Sequence, residues 1–281
     1  MWQKIMFIGG MACLGIACGQ EKTATTSMQG NTQKVDSDAL WVSSEVIWPN
    51  RDIPVCWEFE GRDEEKSWVR KAITASWEHA INVRFTEWRT CRAMSNLAGH
   101  AIRIQIRDGV ADDACSSDVL AAIFTGGWSL LADAPDGCLN APHVTDYGTD
   151  IAGEYAGMVL NFDYEHFSEE ACSVTDAARR RCVERTAIHE FGHALGFDHE
   201  SDRPDNTCDE HQIGRDFVDL YVDLGDVLIT PFDPESVMNY CNHIHERGTP
   251  PDKQLSYFDV VGAQFFYGMS DERVAAVLSA L

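Results

Sequence analysis

Alternation of apolar and polar side chains picks out strands at several places in the first two thirds of the chain. Ile53-Pro54-Val55-Cys56-Trp57-Glu58-Phe59 has strand character, and Val83-Arg84-Phe85-Thr86-Glu87-Trp88 alternates like a half-buried strand. Ala101 to Arg107 alternates more clearly still, and Met158-Val159-Leu160-Asn161-Phe162 supplies another strand. Between the first two runs, Trp68, Val69, Ala72, Ile73, Trp77 and Ala80 recur at helical spacing and predict a helix over 64–81. From Thr175 the period is helical again: Val183, Ala187, Ile188, Phe191, Ala194 and Leu195 build one apolar face, and Gly196 is placed to end it. Beyond it the pattern predicts a helix over Asp216–Leu224, a turn at Pro231–Pro234 and a last helix over Phe258–Phe266. The Gly-, Asp-, Ala- and Pro-rich stretch 108–156 predicts a long loop region pinned by cysteines.

The N-terminus has a different texture. Lys4, an apolar run from Ile5 to Ala17 and small residues before Cys18 predict a signal peptide over 1–17, too short to span a bilayer. Gly15-Ile16-Ala17-Cys18 is similar to the lipobox of bacterial lipoproteins, in which the cysteine is lipidated, although Leu14 sits one place too early. Residues 18–39 are rich in Gln, Thr, Ser and Gly and read as a flexible tether, leaving 40–281 as one folded domain. The expected location is therefore an outer membrane or cell surface, with Cys18 as the sole membrane attachment, or the secreted state if Cys18 carries no lipid.

Charge narrows the partners. With 22 Lys+Arg against 45 Asp+Glu the formal net charge is −23, which repels nucleic acid and anionic membrane surfaces. Ten cysteines less Cys13 and Cys18 leave eight, none in a Cys-x-x-Cys pair, and this fits disulfides formed in an oxidising compartment. Their connectivity is open. Proximity favours Cys172–Cys182 and Cys115–Cys138, with Cys56–Cys91 and Cys208–Cys241 as the remainder.

The candidate chemistry lies in His189-Glu190-Phe191-Gly192-His193-Ala194-Leu195-Gly196-Phe197-Asp198-His199-Glu200. Positions i and i+4 share a helix face, so His189 and His193 can point two imidazoles at one cation with Glu190 beside them. A catalytic zinc takes three protein ligands and keeps a position open. Gly196 can adopt a left-handed turn that brings His199 in from outside the helix. Three neutral imidazoles leave Zn2+ its full charge to acidify water and polarise a carbonyl, and Glu190 can take the proton and return it to a leaving amine.

This segment resembles the metzincin metalloproteases, whose pattern His-Glu-x-x-His-x-x-Gly-x-x-His precedes a methionine turn, here Ser236-Val237-Met238-Asn239-Tyr240. The continuation His199-Glu200-Ser201-Asp202-Arg203-Pro204-Asp205 is most similar to the astacin-like peptidases, which also place a tyrosine two residues after the turn methionine. Asn239 departs from their usual histidine, and an inhibitory prosegment is not recognisable. The stretch Phe191–Gly196 and the ending Leu255-Ser256 to Tyr267-Gly268 look more like matrix metalloproteases.

The resemblance implies an α+β zincin fold: a twisted mixed sheet with long helices in an N-terminal lobe, an irregular C-terminal lobe, and a cleft between. It implies a zinc-dependent endopeptidase acting on a protein or peptide substrate. Zinc would be held by His189, His193 and His199, Glu190 would be the base, Tyr240 a movable zinc ligand and oxyanion partner, and Met238 the packing beneath the metal. Met158–Phe162 is the candidate for the cleft-lining edge strand. Glu200 and Arg203 are expected to form a structural ion pair. Lesser candidates are His243 and His245 as a second metal pair, and Asp146, Asp150 and Glu154 as a calcium site. A zincin-fold binding protein without catalysis, and a zinc hydrolase of a non-peptide bond, are the competing functions.

Overall fold

The computed structural model describes residues 40–108, 142–163, 172, 175–203, 205, 227–228, 230–239 and 254–280. The signal peptide and tether expected over 1–39, the helix expected over 216–224, Cys115, Cys138, Cys208, Cys241, Tyr240, His243 and His245 lie outside the described residues.

The apolar runs pair as one mixed sheet. Strands β2 (Asp52–Trp57), β3 (Arg84–Thr90), β4 (Ile102–Ile106), β5 (His143–Val144) and β6 (Met158–Leu160) lie in the order β3-β2-β4-β6-β5. The first four in that order run parallel, and β5 closes one side antiparallel to β6, with His143 opposite Val159 and Val144 opposite Met158. A two-residue strand, β1 (Trp41–Val42), pairs apart from this sheet with β7 (Val227–Leu228). The architecture is α+β, as expected. The edge position needs a correction. Met158–Phe162 is not the edge strand, because β6 is hydrogen-bonded on both sides, to β4 and to β5. Among the described residues the last strand on that side is β5, which two residues of alternation are too short to announce.

The helix expected over 64–81 forms as two pieces, α1 (Asp63–Ala75) and α2 (Trp77–Ala80). The break is at Ser76, whose hydroxyl donates to the Ala72 carbonyl at 2.7 Å, a local bond that competes with helix continuation. The break turns the fully buried Trp77 so that its Nε1 donates to the Ile188 carbonyl at 2.8 Å, in the middle of α3 (Asp176–Ala194). Helix α3 starts at Thr175, whose hydroxyl accepts from Ala178 N at 3.0 Å, and it packs against α1. The periodic residues Val69, Ala72, Ile73, Val183, Ala187, Ile188 and Phe191 all belong to one continuous core with the buried faces of β2, β4 and β6. Edge-on Phe85 (centroids 4.9 Å) and stacked Trp88 (5.7 Å), both from β3, hold Phe191 in place.

The last predicted helix appears as α4 (Tyr257–Tyr267), begun by a capping box between Ser256 and Asp259, and is followed by an unpredicted α5 (Asp271–Ala280). The turn expected at Pro231–Pro234 comes slightly later, at Pro234–Glu235. Two of the four anticipated disulfides fall among described residues, and both are present: Cys56–Cys91 ties the end of β2 to the segment after β3, and Cys172–Cys182 pins the approach to α3. Among the described residues no helix is long and apolar enough to cross a membrane.

Candidate metal centre

Helix α3 brings His189 and His193 one turn apart on a common side, and its last turn sets the direction of everything after it. The orphan carbonyls of a helix C-terminus need donors. Here Trp48 Nε1 donates to Ala194 O at 2.7 Å and the Tyr267 hydroxyl to Leu195 O at 2.7 Å. Gly196, at φ +94°, then reverses the chain: its N–H reaches His193 O at 2.8 Å and Phe197 N–H reaches Gly192 O at 3.0 Å, the pair of bonds of a Schellman turn. The turn places His199, buried at 5% exposure, against the helix it has just left.

A Cβ at position 196 would meet a left-handed backbone and come within 3.2 Å of Ile47 Cδ1. Gly196→Ala should therefore lower stability by roughly 1–2 kcal/mol, read as a shift in the urea midpoint with unchanged slope; an unaltered midpoint would mean the turn relaxes without cost.

The three imidazoles converge. Their ligating nitrogens lie within 4.8 Å of one another, and the Nε2 atoms of His193 and His199 are 2.9 Å apart. Tetrahedral zinc with nitrogens at 2.0–2.1 Å separates two such atoms by about 3.3 Å, so the spacing suits one ion of that size. The tautomers are fixed by what the other ring nitrogens meet. His189 Nδ1 lies 2.8 Å from Val237 O and His193 Nδ1 lies 2.7 Å from Phe197 O. A carbonyl can only accept, so both Nδ1 atoms carry the proton and both Nε2 atoms present lone pairs. Burial, with the mutual repulsion of the neighbouring histidines, pushes His189 down to about 3 and His193 well below the usual imidazole value. Both are neutral at pH 7, the form that ligates a metal. Three nitrogens of this kind make a donor set suited to Zn2+.

Glu190 is buried beside this cluster, and burial pushes its carboxyl up to about 8. One of its oxygens, Oε2, has no hydrogen-bond partner among the described residues. Met238 is fully buried, with its backbone carbonyl accepting from Glu200 N at 2.9 Å. Its sulfur fills the space left by Gly192, where a Cβ would sit 2.3 Å from Sδ. Glu200 and Arg203 form the expected buried ion pair, Nε to Oε1 at 3.4 Å, and Arg203 also grips Asp205 at 2.8–2.9 Å. Asn239, where the resemblance leads one to expect histidine, donates Nδ2 to Asp233 O at 3.2 Å and helps hold the turn. Of the lesser candidates, Asp146 accepts from its neighbour Tyr147 N at 2.8 Å, and burial raises its carboxyl, with Asp150 and Glu154 adding repulsion.

Sequence reading missed the groups that aim the imidazoles: the carbonyls of Val237 and Phe197, the donors Trp48 and Tyr267, and the Tyr147 ring, packed edge-on to His193 with centroids 5.2 Å apart. Only the short distance from Phe197 to His193 was open to inference from the motif itself.

Comparison with known proteins follows the same line. No family model matches the chain. Meprin A subunit beta of Homo sapiens, an astacin-family protein, is 37% identical over 97 residues, covering 31% of this chain and only 14% of that protein. Among solved structures, myroilysin aligns with TM-score 0.46 and 18% identity over 80% of this chain and 97% of its own. High choriolytic enzyme 1, a hatching enzyme zinc-protease from Oryzias latipes, aligns with TM-score 0.39 and 17% identity over 83% of this chain and 100% of its own. The resemblance read from His189–Asp205 and the similarity to meprin point the same way: in sequence, this chain is similar to the astacin-like metzincins.

Proposed function

We propose that the chain is an exported zinc endopeptidase that hydrolyses peptide bonds of protein or peptide substrates, with His189, His193 and His199 as the zinc ligands and Glu190 as the general base. The observation that carries this reading is the joint placement of three converging imidazoles and a buried, partly unpartnered carboxyl on consecutive turns of one helix and its exit. Zinc bound there would supply Lewis acidity, polarising the scissile carbonyl and acidifying a water. The protein's own groups do the rest. Val237 and Phe197 hold two imidazoles in the metal-binding tautomer, and a cation held there would draw the raised Glu190 carboxyl back down, so that its carboxylate would take a proton from water and hand it to the leaving amine. Among the described residues strand β5 is the last of the sheet on its side, three residues before the Tyr147 that packs edge-on to His193, so this end of the sheet lies close to the imidazole cluster.

Incubation of the purified protein with a mixed peptide library, with and without chelator, tests the reading. Cleavage abolished by chelator supports it. Zinc binding without cleavage would favour a binding protein, and hydrolysis confined to non-peptide substrates would favour the other rival.

The role given to Tyr240 rests on the resemblance alone. If it stabilises the oxyanion, Tyr240→Phe should lower kcat by roughly tenfold or more with little change in KM, because the contact is made in the transition state. Steady-state kinetics with an unchanged kcat would make it a packing residue.

The two disulfides fit an oxidising compartment. We extend this to a lipid anchor at Cys18 that holds the enzyme at an outer membrane or cell surface. In fractionated cells the wild type should then partition with detergent and Cys18→Ser should be soluble, whereas two equally soluble proteins would mean free secretion.

A further inference from the structure

We propose that Asp259, on the first turn of α4, is a positioning residue for the metal site: it sets the peptide plane whose carbonyl holds His189. The inference rests on the reading of His189 as a zinc ligand.

Asp259 is buried at 1% exposure. Its Oδ2 accepts from Ser256 N and from Val237 N, each at 2.9 Å, and its Oδ1 accepts from the Ser236 hydroxyl at 2.6 Å. The first bond belongs to the capping box of α4. The other two reach across to the turn at 236–239, which a helix cap alone does not require. Ser236 Oγ, having given its proton to Asp259, accepts from Met238 N at 3.0 Å. Met238 N–H and Val237 C=O belong to the same peptide unit. That unit is planar and trans, so fixing the direction of its N–H fixes the opposite direction of its C=O. Val237 O is the acceptor, at 2.8 Å, for His189 Nδ1. A continuous path therefore runs from the Asp259 carboxylate through the Ser236 hydroxyl and one peptide plane to the imidazole, and a second bond, to Val237 N, clamps the preceding peptide.

Burial pushes the Asp259 carboxyl up to about 6 against the pull of these three donors, so at neutral pH it is ionised and accepts from all of them. Asparagine at this position has one acceptor oxygen and an amide that can only donate. With its oxygen kept on Val237 N, its amide would face Ser236 Oγ as a donor and compete with Met238 N for the hydroxyl's lone pairs, so the bond that sets the Val237–Met238 peptide plane is weakened. The His189 ring would then lose the fixed partner that selects its tautomer and aim, which in metal sites typically weakens binding 10- to 100-fold.

The test measures zinc Kd of the full chain by competition with a chromophoric chelator, together with the Nδ1–H proton resonance of His189 in the zinc-loaded protein. Asp259→Asn should raise Kd about 10- to 100-fold and expose that proton to exchange. Ser236→Ala cuts the path at its middle and leaves the Asp259–Ser256 cap intact. It should weaken zinc comparably, and the double variant should be little worse than either single one, since both break the same path. A folded Asp259→Asn with wild-type Kd, or a Ser236→Ala with wild-type Kd and a protected His189 proton, overturns the proposal by reducing Asp259 to a helix cap. If Asp259→Asn does not fold, Ser236→Ala decides alone. A wild type that binds no zinc removes the reading beneath the inference, and the inference with it.

Discussion

Glu190→Gln should keep its zinc and lose at least about a hundredfold in kcat, because positioned acid–base groups contribute roughly 10²–10⁴ to such reactions. Glutamine matches glutamate in shape and cannot take a proton from water. The substitution touches neither the imidazoles nor their carbonyl partners, so metal content should remain at one ion per chain. Nor should the fold suffer: Glu190 is 4% exposed, and because burial pushes its carboxyl up to about 8 the group is largely neutral in the metal-free chain, so the substitution exchanges one neutral buried group for another of the same shape. The variant should therefore melt no lower than the wild type. Metal analysis, a thermal melt and steady-state kinetics on a peptide drawn from the library make the comparison. Turnover near wild type in a zinc-loaded Glu190→Gln would place the base on another residue.

That prediction draws on a part of the molecule that was legible in the sequence, and the reason is geometric. A helix repeats every 3.6 residues, so His189 and His193 had to share a face, and a glycine three residues on is the cheapest way to reverse the chain toward His199. The φ of +94° at Gly196 realises that turn. The interior strands were legible for a similar reason, since five to seven residues of alternation or unbroken apolarity mark a buried strand. What escaped was set by contacts distant in sequence. The break at Ser76 comes from a hydroxyl that competes for the Ala72 carbonyl, and is reinforced by Trp77 reaching Ile188, 111 residues away. Strand β5 is two residues long and carries no period. Trp48 and Tyr267 reach the C-terminal carbonyls of α3 from 146 and 72 residues off, and Asp259 reaches Val237 from 22. Each looks in the sequence like an ordinary aromatic or capping residue. Ligand identity is thus local information, while ligand aim is tertiary.

The division between identity and aim also says what losing a ligand should do. On the proposed assignment His199 is the ligand supplied from outside α3, so His199→Ala leaves two imidazoles from one helix face, and two ligands fall short of the three that catalytic zinc sites use. The outer partners of ligands are worth 10- to 100-fold in metal affinity, and a ligand itself should be worth more. His199→Ala should therefore raise the zinc Kd by more than about a hundredfold and bring peptide hydrolysis down to the level seen with chelator. Its backbone surroundings argue that the chain still folds. The Schellman turn at Gly196 and the bond from Glu200 N to Met238 O, 2.9 Å, involve main-chain atoms that the substitution leaves in place. The same measurement on His189→Ala and His193→Ala should give losses of similar size, because each removes one of three equivalent donors. In the triple alanine variant no zinc should remain after dialysis. Full zinc occupancy there, measured by metal analysis on folded protein, would move the metal away from α3 and with it the catalytic assignment of Glu190.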